Sequence, residues 1–463
     1  MAALIAEQLA TDPRVLEARE LLAAALRDHQ KKLTGIKPAD PARAVDYARL
    51  IEEFSQARAG GLYFPYLGSG MGRGALVELA DGSVKYDFIS GIGVHFLGHG
   101  SPELLQSGVT AALSDTVMQG NLQQNTDSLA VESLLLQLAR SARSRLEHCF
   151  LTTSGAMANE NALKLAFQHK PGSTRLLAFE HGFCGRTMAL SQITDKPQYR
   201  AGLPTTLAVD YVPFFDAADP RGSTGRAVAA LRAYLNRYPG QHAAMCIELI
   251  LGEGGYWAGD HDFFLALLTE LKSGNIAVWF DEIQTFGRTS RPFAFQHFDL
   301  SSWADVVTVG KLTQLCATLF TPEFKPRPGL LSQTFTAAAS AIEAAKVILN
   351  NMLEGDLFGA HGRNMRIHDV FIERLKRIST RHPHLISGPF GIGAMIAFTP
   401  LDGSEMKARL VLKTLFDSGV IAFYAGSQPA RIRMLPPVPV VTEPDIETVC
   451  QILESTLLAC ADN

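Results

Sequence analysis

Two short apolar runs end in residues that carry acid and amine chemistry. Residues 277–280 lead into Asp281, and residues 304–309 lead into Gly310 and Lys311. If both runs are buried parallel strands, Asp281 and Lys311 meet at the carboxyl edge of the sheet, where α/β proteins bind ligands. Such a pair suits a cofactor whose aldehyde the lysine holds as an imine and whose ring nitrogen the acid keeps protonated. A helix-capping Asp and a surface Lys explain these two residues, taken alone, equally well.

A run of small residues lies where a strand is expected to pass into a helix, at 152–160. Ser154, Gly155 and Ala156 leave the first backbone N–H groups of that helix open to an anion, and the helix dipole adds to the attraction. The position therefore suits a phosphate group. The alternative is an ordinary serine N-cap with no ligand.

An aromatic residue sits between glycines after the next apolar run. Phe183 lies between Gly182 and Gly185, and a ring held in this way can stack flat against a cofactor ring. A core phenylalanine in a turn is the alternative.

Charged residues mark the ends of two other apolar segments. Glu248 and Glu253 follow one segment, and Arg431 and Arg433 alternate with apolar residues in the other. An arginine is suited to a bidentate grip on a substrate carboxylate, and a buried glutamate needs a partner such as a mobile arginine. Solvated loop glutamates and surface arginines are the alternatives.

The length and composition predict an ordinary globular protein with two or three domains. The chain has 463 residues, of which 47% are hydrophobic and 19% charged, and its net charge is −4. This charge gives no reason to expect nucleic acid or an acidic membrane as a partner. The six cysteines lack C-x-x-C spacing, which argues against a zinc or disulfide framework and favours a reducing compartment. With no evident signal peptide or membrane span, we expect a cytoplasmic protein.

The order of elements predicts an α/β fold with a doubly wound parallel sheet, because helical and apolar strand patterns alternate from about residue 130. Amphipathic helices are expected at 3–30 and 41–58, a hairpin around residues 80–82, and a long helix at 337–353. The stretches 388–398 and 431–434 are expected to be strands. In the sheet, we expect strands at 148–152, 175–179, 207–212, 243–250, 276–280 and 305–309.

Taken together, the motifs resemble the class III pyridoxal-phosphate (PLP) aminotransferases, whose familiar members act on ornithine, acetylornithine and 4-aminobutyrate. The resemblance covers residues from about 60 to 445. Its motifs, in the order of the family, are 90–93 with 98–100, 154–160, 183 with 185–187, 248 with 252–253, 281–285 with 287–289, and 310–311.

The resemblance implies fold type I, with a large domain built on a mostly parallel doubly wound sheet and a small α+β domain built from both termini. We expect residues 1–89 to form the N-terminal part of the small domain. Residues 90–337 would form the large cofactor-binding domain, and residues 338–463 the C-terminal small domain.

The resemblance also implies the roles of the cofactor-binding residues. Lys311 would form a Schiff base with PLP and then move protons, while Asp281 would pair with the ring nitrogen. Gln284 would contact the ring hydroxyl, and Ile283 and Phe183 would sandwich the ring. The remaining cofactor-binding residues would be Ser154, Gly155, Ala156, Glu248 and Thr334.

Substrate binding and assembly follow from the same resemblance. Arg433 would bind the substrate α-carboxylate, and Glu253 would cover that arginine when an ω-amino end enters. Tyr66 would line the pocket. Thr334 would reach the phosphate of the neighbouring subunit, which predicts a homodimer with shared active sites.

The chain departs from the family pattern beside these motifs. Leu249 and Leu251 stand where the family has Pro and Gln, and a single residue, Phe286, separates Thr285 from Gly287. The usual glycine-rich stretches after Lys311 and Thr334 are also replaced, by 312–315 and 336–339. These differences indicate an outlying branch and leave the amino donor open.

The expected activity is transfer of the ω-amine of a diamino or ω-amino acid to 2-oxoglutarate in a ping-pong cycle. One alternative is a PLP-dependent aminomutase, racemase or decarboxylase of the same fold. The other is a degenerate, non-catalytic homologue.

Overall fold

The structure is a computed structural model that describes residues 2–114 and 118–461. Contacts divide the chain into two compact units. The terminal unit comprises Met1–Asp115, Arg366–Pro389 and Ile396–Asn463, and the central unit comprises Thr116–Met365 and Phe390–Met395. The domain bounds 1–89, 90–337 and 338–463 stay a prediction.

The helices of the described residues are short to medium in length. In chain order they are α1 (Ile5–Ala10), α2 (Pro13–Gln30), α3 (Ala44–Ala57), α4 (Ser90–Gly93), α5 (Pro102–Ala112), α6 (Thr126–Arg140), α7 (Gly155–His169), α8 (Leu190–Ile193), α9 (Pro220–Arg237), α10 (His261–Ser273), α11 (Ala294–His297), α12 (Ala339–Glu354), α13 (Arg363–Arg381), α14 (Glu405–Asp417) and α15 (Glu443–Ala461). None of the helices within residues 2–114 and 118–461 is long and apolar enough to cross a membrane.

The strands of the described residues alternate with these helices. In chain order they are β1 (Gly68–Arg73), β2 (Leu76–Leu79), β3 (Val84–Asp87), β4 (Met118–Gln119), β5 (His148–Thr152), β6 (Arg175–Phe179), β7 (Ala208–Val212), β8 (His242–Ile247), β9 (Ile250–Leu251), β10 (Trp257–Ala258), β11 (Ala277–Glu282), β12 (Val306–Val309), β13 (Cys316–Phe320), β14 (Ala337–Ala338), β15 (Ile386–Phe390), β16 (Ile396–Pro400), β17 (Val420–Ile421), β18 (Phe423–Ala425) and β19 (Arg431–Met434).

The central unit is built on a seven-stranded sheet in the order β5-β13-β12-β11-β8-β6-β7. The pairs from β12 through β7 are parallel, and β13 runs antiparallel to both β12 and β5. Strands β8, β11 and β12 are buried along their whole length, as expected for a sheet covered on both faces by helices. This sheet confirms the predicted α/β class with a mostly parallel sheet.

The register of β11 and β12 brings Asp281 and Lys311 to the same edge of the central sheet. Asp281 lies opposite Thr308 in the parallel pair. Lys311 begins a 3₁₀ turn two residues after β12 ends. The predicted meeting of Asp281 and Lys311 at the carboxyl edge of the sheet follows from this register.

A buried carboxylate fixes the opposite end of the same strand pair. Asp305 accepts hydrogen bonds from the amine of Lys272, from a guanidinium nitrogen of Arg145 and from the backbone N–H of Val278. The distances are 2.8–3.0 Å. Because Val278 belongs to β11 and Asp305 precedes β12, these bonds lock the register on which the site depends.

The terminal unit contains two four-stranded sheets, in the orders β1-β2-β3-β17 and β15-β16-β19-β18. The predicted hairpin is present as the antiparallel pair β2–β3. Its turn is stabilised by Asp81, which accepts a hydrogen bond from the backbone N–H of Ser83 at 2.9 Å.

Several element bounds differ from the sequence predictions. The helix expected at 3–30 is divided into α1 and α2, because Asp12 caps a new helix that starts at Pro13; proline is favoured at that first position. The strand expected at 243–250 ends at Ile247, and Ile250–Leu251 pairs with β10 instead. Strand β13 has no counterpart among the predicted strands.

Candidate active site

A cavity of about 340 Å³ lies in the central unit at the carboxyl edge of the sheet. This size is within the range usual for small-molecule sites, about 300–1,000 Å³. Nine of the 13 site residues predicted from the sequence are found in its wall. The lining residues are Gly155, Ala156, Asn159, Phe183, Cys184, Gly185, Arg186, Glu248, Glu253, Asp281, Ile283, Gln284 and Lys311.

One end of the cavity is formed by the start of α7. Ser154 caps this helix, and its hydroxyl accepts a hydrogen bond from the backbone N–H of Met157 at 3.2 Å. Gly155 is closely packed against Ile283, because a Cβ there would stand 3.0 Å from a methyl carbon of that side chain. The helix N-terminus is therefore open toward the cavity, as anion binding requires.

Asp281 is a buried carboxylate that is held by two donors. Its Oδ1 accepts from the backbone N–H of Ile283 at 3.0 Å, and its Oδ2 accepts from the amide of Asn159 at 2.8 Å. Burial raises the pKa of Asp281 to about 6, against the opposing effects of these two bonds and of the Lys311 charge. A cationic group placed beside Asp281 would restore its ionised form.

Lys311 occupies a constrained backbone position. Its φ is +51°, a left-handed conformation that costs energy for a residue with a side chain. Gly310 before it is packed closely, since a Cβ there would lie 2.6 Å from the Sγ of Cys316. Backbone strain of this kind is found at functional sites, where the surrounding structure holds it in place.

Glu248 positions the loop that carries Phe183. Its carboxylate accepts from the backbone N–H of Phe183 at 2.7 Å and from that of Gly252 at 3.1 Å. Burial and the neighbouring charge of Asp281 raise the pKa of Glu248 to about 8. The guanidinium of Arg186 lies over the rings of Phe183 and Tyr199, at 5.9 and 4.2 Å from their centroids.

The turn after β11 presents Ile283 and Gln284 to the cavity. Glu282 anchors this turn, because its carboxylate accepts from the hydroxyl of Thr285 and from the backbone N–H groups of Ala294 and Phe295. Gly252 packs against the amide of Gln284, where a Cβ would stand 2.7 Å from Oε1.

Two residues at which the chain departs from the family pattern, Phe286 and Leu312, are buried and pack against other side chains. Phe286 is fully buried and meets the ring of Phe293 edge to face, with centroids 4.8 Å apart. Leu312 is buried, and a methyl carbon of its side chain would lie 3.5 Å from a Cβ at Gly287. Neither side chain is among those that line the cavity.

Glu253 has a cationic neighbour within the central unit. The amine of Lys196 lies 3.7 Å from its Oε2. Both side chains are mostly buried, so the pair is more than a solvated surface contact.

Four of the predicted site residues are not among those that line the cavity, and their roles stay predictions. Ser154 is the helix cap described above, and Thr334 is exposed in the loop before β14. Tyr66 and Arg433 belong to the terminal unit. Arg433 is fully buried on β19, with its guanidinium 5.8 Å from the centroid of Phe423. Burial, followed by the charge of Asp87 and a hydrogen bond to it, raises the pKa of Tyr66.

Asn159 is a site residue that the sequence motifs contained but to which they gave no role. Its amide nitrogen donates to Asp281 and also to the backbone carbonyl of Cys184, at 2.7 Å. One buried side chain thus connects α7, the Phe183 loop and the buried carboxylate. The only sequence signal was an amide on the inward face of the helix that follows the small-residue run.

We expect Asn159→Leu to weaken cofactor binding by about 10- to 100-fold, the usual worth of a hydrogen bond to a charged group. Without this donor the pKa of Asp281 rises further, so the loss should be larger at pH 6 than at pH 8. Fluorescence titration of the cofactor-free protein measures both. Asn161→Leu is the matched control, since Asn161 is a buried amide on the same helix. Equal affinity in Asn159→Leu and wild type would contradict this role.

Comparison with known proteins identifies the class. The sequence profile of the class-III aminotransferases matches residues 66–457, so the chain belongs to this family. It is a PLP-dependent transaminase of fold type I. The resemblance, the fold, the enzyme class and the cofactor predicted from sequence are confirmed.

Several individual proteins are similar to this chain over most of its length. The chain is 30% identical to the acetylornithine aminotransferase of Mycolicibacterium smegmatis, over 85% of this chain and 94% of that protein. It is 28% identical to the acetylornithine aminotransferase of Prochlorococcus marinus, over 82% and 88%. The lysine aminotransferase from M. tuberculosis has the same fold, with a TM-score of 0.80 and 22% identity over 89% of this chain and 99% of that one.

The residues present fit PLP. A buried carboxylate suits the ring nitrogen, an amine lies on the neighbouring strand end, and an open helix N-terminus suits the phosphate. The Oδ1 of Asn159 is a buried acceptor without a hydrogen-bond partner among the described residues.

Proposed function

We propose that this transaminase moves the ω-amino group of a diamino or ω-amino acid to 2-oxoglutarate in a ping-pong cycle. The observation that carries the proposal is the cavity that joins Lys311 and Asp281 to the Glu253–Lys196 pair. Curated relatives named for acetylornithine, a derivative of a diamino acid that keeps one free amine, support this substrate class.

In the proposed site each residue has a distinct task. When bound, PLP supplies an aldehyde that bonds to an amine and a ring that withdraws electrons. Asp281 holds the positive charge on the ring nitrogen, and Phe183 and Ile283 enclose the ring. The phosphate is held at Gly155 and Ala156. The Lys311 amine holds and moves the proton of the substrate carbon that bears the amino group.

The substrate carboxylate is assigned to Arg433. A fully buried guanidinium on a rigid strand is suited to a bidentate grip on a carboxylate. Glu253 would cover this arginine when the ω-amino end of a donor enters. The Lys196 amine, 3.7 Å from the Glu253 carboxylate, gives this glutamate a cationic partner within the central unit.

Replacing Arg433 with Met should discriminate between substrates. We expect kcat/KM for glutamate to fall by about 10²–10³-fold, since truncating one partner of a buried charge pair costs about 2–5 kcal/mol. An amine without an α-carboxylate should lose less than about tenfold. Rapid-mixing absorbance of the two half-reactions measures both values. Arg431→Met is the control, because Arg431 is also buried and lies on the same strand. Equal losses on the two substrates in Arg433→Met would refute the carboxylate assignment.

A panel of amino donors with 2-oxoglutarate tests the function itself. We expect acetylornithine, ornithine, lysine or 4-aminobutyrate to yield glutamate and to convert the bound cofactor to its amine form when the keto acid is omitted. A product that forms without any keto acid, with the amino group retained or CO₂ released, would instead identify an aminomutase, racemase or decarboxylase.

We also propose that the enzyme is a homodimer with shared sites, in which Thr334 reaches the phosphate of the neighbouring subunit. Exposed apolar side chains near this loop support an interface, with Leu122 fully exposed and Phe335 and Leu129 more than half exposed.

The cytoplasm is the proposed compartment, in keeping with the six free cysteines.

A further inference from the structure

Two cysteines meet beneath the cofactor cavity. Cys184 follows Phe183 in the loop after β6, and Cys246 lies on β8. Their sulfur atoms are 3.7 Å apart, which is contact between two thiols and well beyond a disulfide bond. Both side chains are buried, at 4% and 6% exposure. The proposed reaction uses neither thiol.

Asp281 supplies a third donor at the same point. A carboxylate oxygen of Asp281 and the two sulfur atoms all lie within 4.8 Å of one another. Cys184 and Asp281 line the cavity, so an ion that enters the cavity reaches two of the three donors directly. Cys246 is in contact with Cys184. Two thiols and a carboxylate are a donor set that zinc and cadmium prefer.

The spacing suits a tetrahedral ion. With metal–sulfur bonds of about 2.3 Å, two sulfur atoms of a tetrahedral site stand about 3.8 Å apart. The observed sulfur separation of 3.7 Å meets this without movement. The carboxylate oxygen, at most 4.8 Å from each sulfur atom, has to approach by at most about 1.3 Å to reach the same geometry.

We propose that Cys184, Cys246 and Asp281 form a binding site for a thiophilic divalent ion, zinc or cadmium, in the cofactor-free chain. Binding forms two metal–sulfur bonds and one metal–oxygen bond, and the two thiol protons pass to solvent. No oxidation or reduction takes place. The charge of Lys311 opposes a cation here. Glu248, whose pKa is raised to about 8, supplies a negative charge only above that pH.

The ion and the cofactor exclude each other at this site. Asp281 cannot hold both a metal ion and the positively charged ring nitrogen, and a ring stacked at Phe183 covers the approach to Cys184. This exclusion rests on the proposed role of Asp281, whereas ion binding to the cofactor-free chain does not. The inferred consequence is that thiophilic ions block cofactor loading.

Cadmium titration of the cofactor-free protein tests the site. We expect one Cd²⁺ per chain, with the ultraviolet charge-transfer absorbance of two cadmium–thiolate bonds. Cys246→Ser should bind at least about tenfold more weakly and show the absorbance of one such bond. Cys450→Ser is the matched control, because Cys450 is also buried but lies on α15 of the terminal unit; it should bind like wild type. Circular dichroism checks that each variant is folded.

The same titration with saturating PLP tests the exclusion, and at least tenfold weaker cadmium binding is expected. The absence of saturable absorbance in the cofactor-free wild type would overturn the site, and this result needs no variant. Binding that Cys246→Ser leaves unchanged would also overturn it. Equal cadmium affinity with and without PLP would overturn the mutual exclusion of ion and cofactor. Failure to transaminate any ω-amine would refute the proposed function and leave the ion site standing.

Discussion

Replacing Lys311 with Ala is expected to lower kcat for amino transfer by more than about 10⁴-fold. The change removes both the covalent partner of the cofactor and the group that moves the substrate proton, and proton transfer by a side chain alone contributes about 10²–10⁴-fold. Because Lys311 is strained at φ +51° and alanine retains a Cβ, the backbone strain stays and the fold should be unchanged. Glutamate formation in a coupled assay measures the loss.

Lys164→Ala is the control for this experiment. Lys164 is exposed on α7, the helix that opens onto the cavity, and its replacement should leave kcat within about twofold. If Lys311→Ala retained activity close to that of wild type, the reactive lysine would be a different residue. Circular dichroism of both variants separates loss of chemistry from loss of fold.

Replacing Asp281 with Asn is expected to lower kcat/KM by about 10²–10⁴-fold, which corresponds to the 3–5 kcal/mol of a broken buried ion pair. The amide has nearly the same shape but cannot hold the positive charge on the cofactor ring nitrogen. It also has one acceptor oxygen for the two donors, Ile283 and Asn159, that the carboxylate satisfies. Cofactor affinity should fall together with the rate, and both are measured on purified protein.

The pH dependence of cofactor binding should differ between wild type and Asp281→Asn, because only the wild type has the Asp281 carboxylate. The pKa of Asp281 is raised to about 6, so the anion that attracts the ring nitrogen is present above pH 6 and is lost as the pH falls through that value. The cofactor phosphate titrates in the same region in both proteins. The difference between wild type and Asp281→Asn therefore isolates the carboxylate, and it should shrink below pH 6. A variant within tenfold of wild type at pH 8 would contradict the role of Asp281.

The elements that position the site could be predicted because local sequence determines them. Strands β5, β6 and β19 have the predicted bounds, since each is a short apolar or alternating run with a clear stop. Strand β13 could not be predicted. It runs antiparallel between β12 and β5, and that pairing depends on where distant strands lie rather than on its own residues.

The side-chain contacts between distant parts of the chain at the site could not be predicted from the sequence either. Asn159 and Asp281 are 122 positions apart, and Cys184 and Cys246 are 62 apart. Such pairs come together only after helices and strands have packed, and no local pattern encodes them. Motif order could place Asp281 and Lys311 at one edge. It could not show that a single amide holds the buried carboxylate or that two thiols lie beside it.

The most direct test of the account locates the lysine that carries the cofactor. Borohydride treatment of the holoenzyme converts the carbon–nitrogen bond between PLP and its lysine into a stable amine, which peptide mass mapping can locate. We predict a single modified peptide with the added mass on Lys311 and its absence from Lys311→Ala. A modification on another lysine, or none in the wild type, would contradict the assignment on which the proposed mechanism depends.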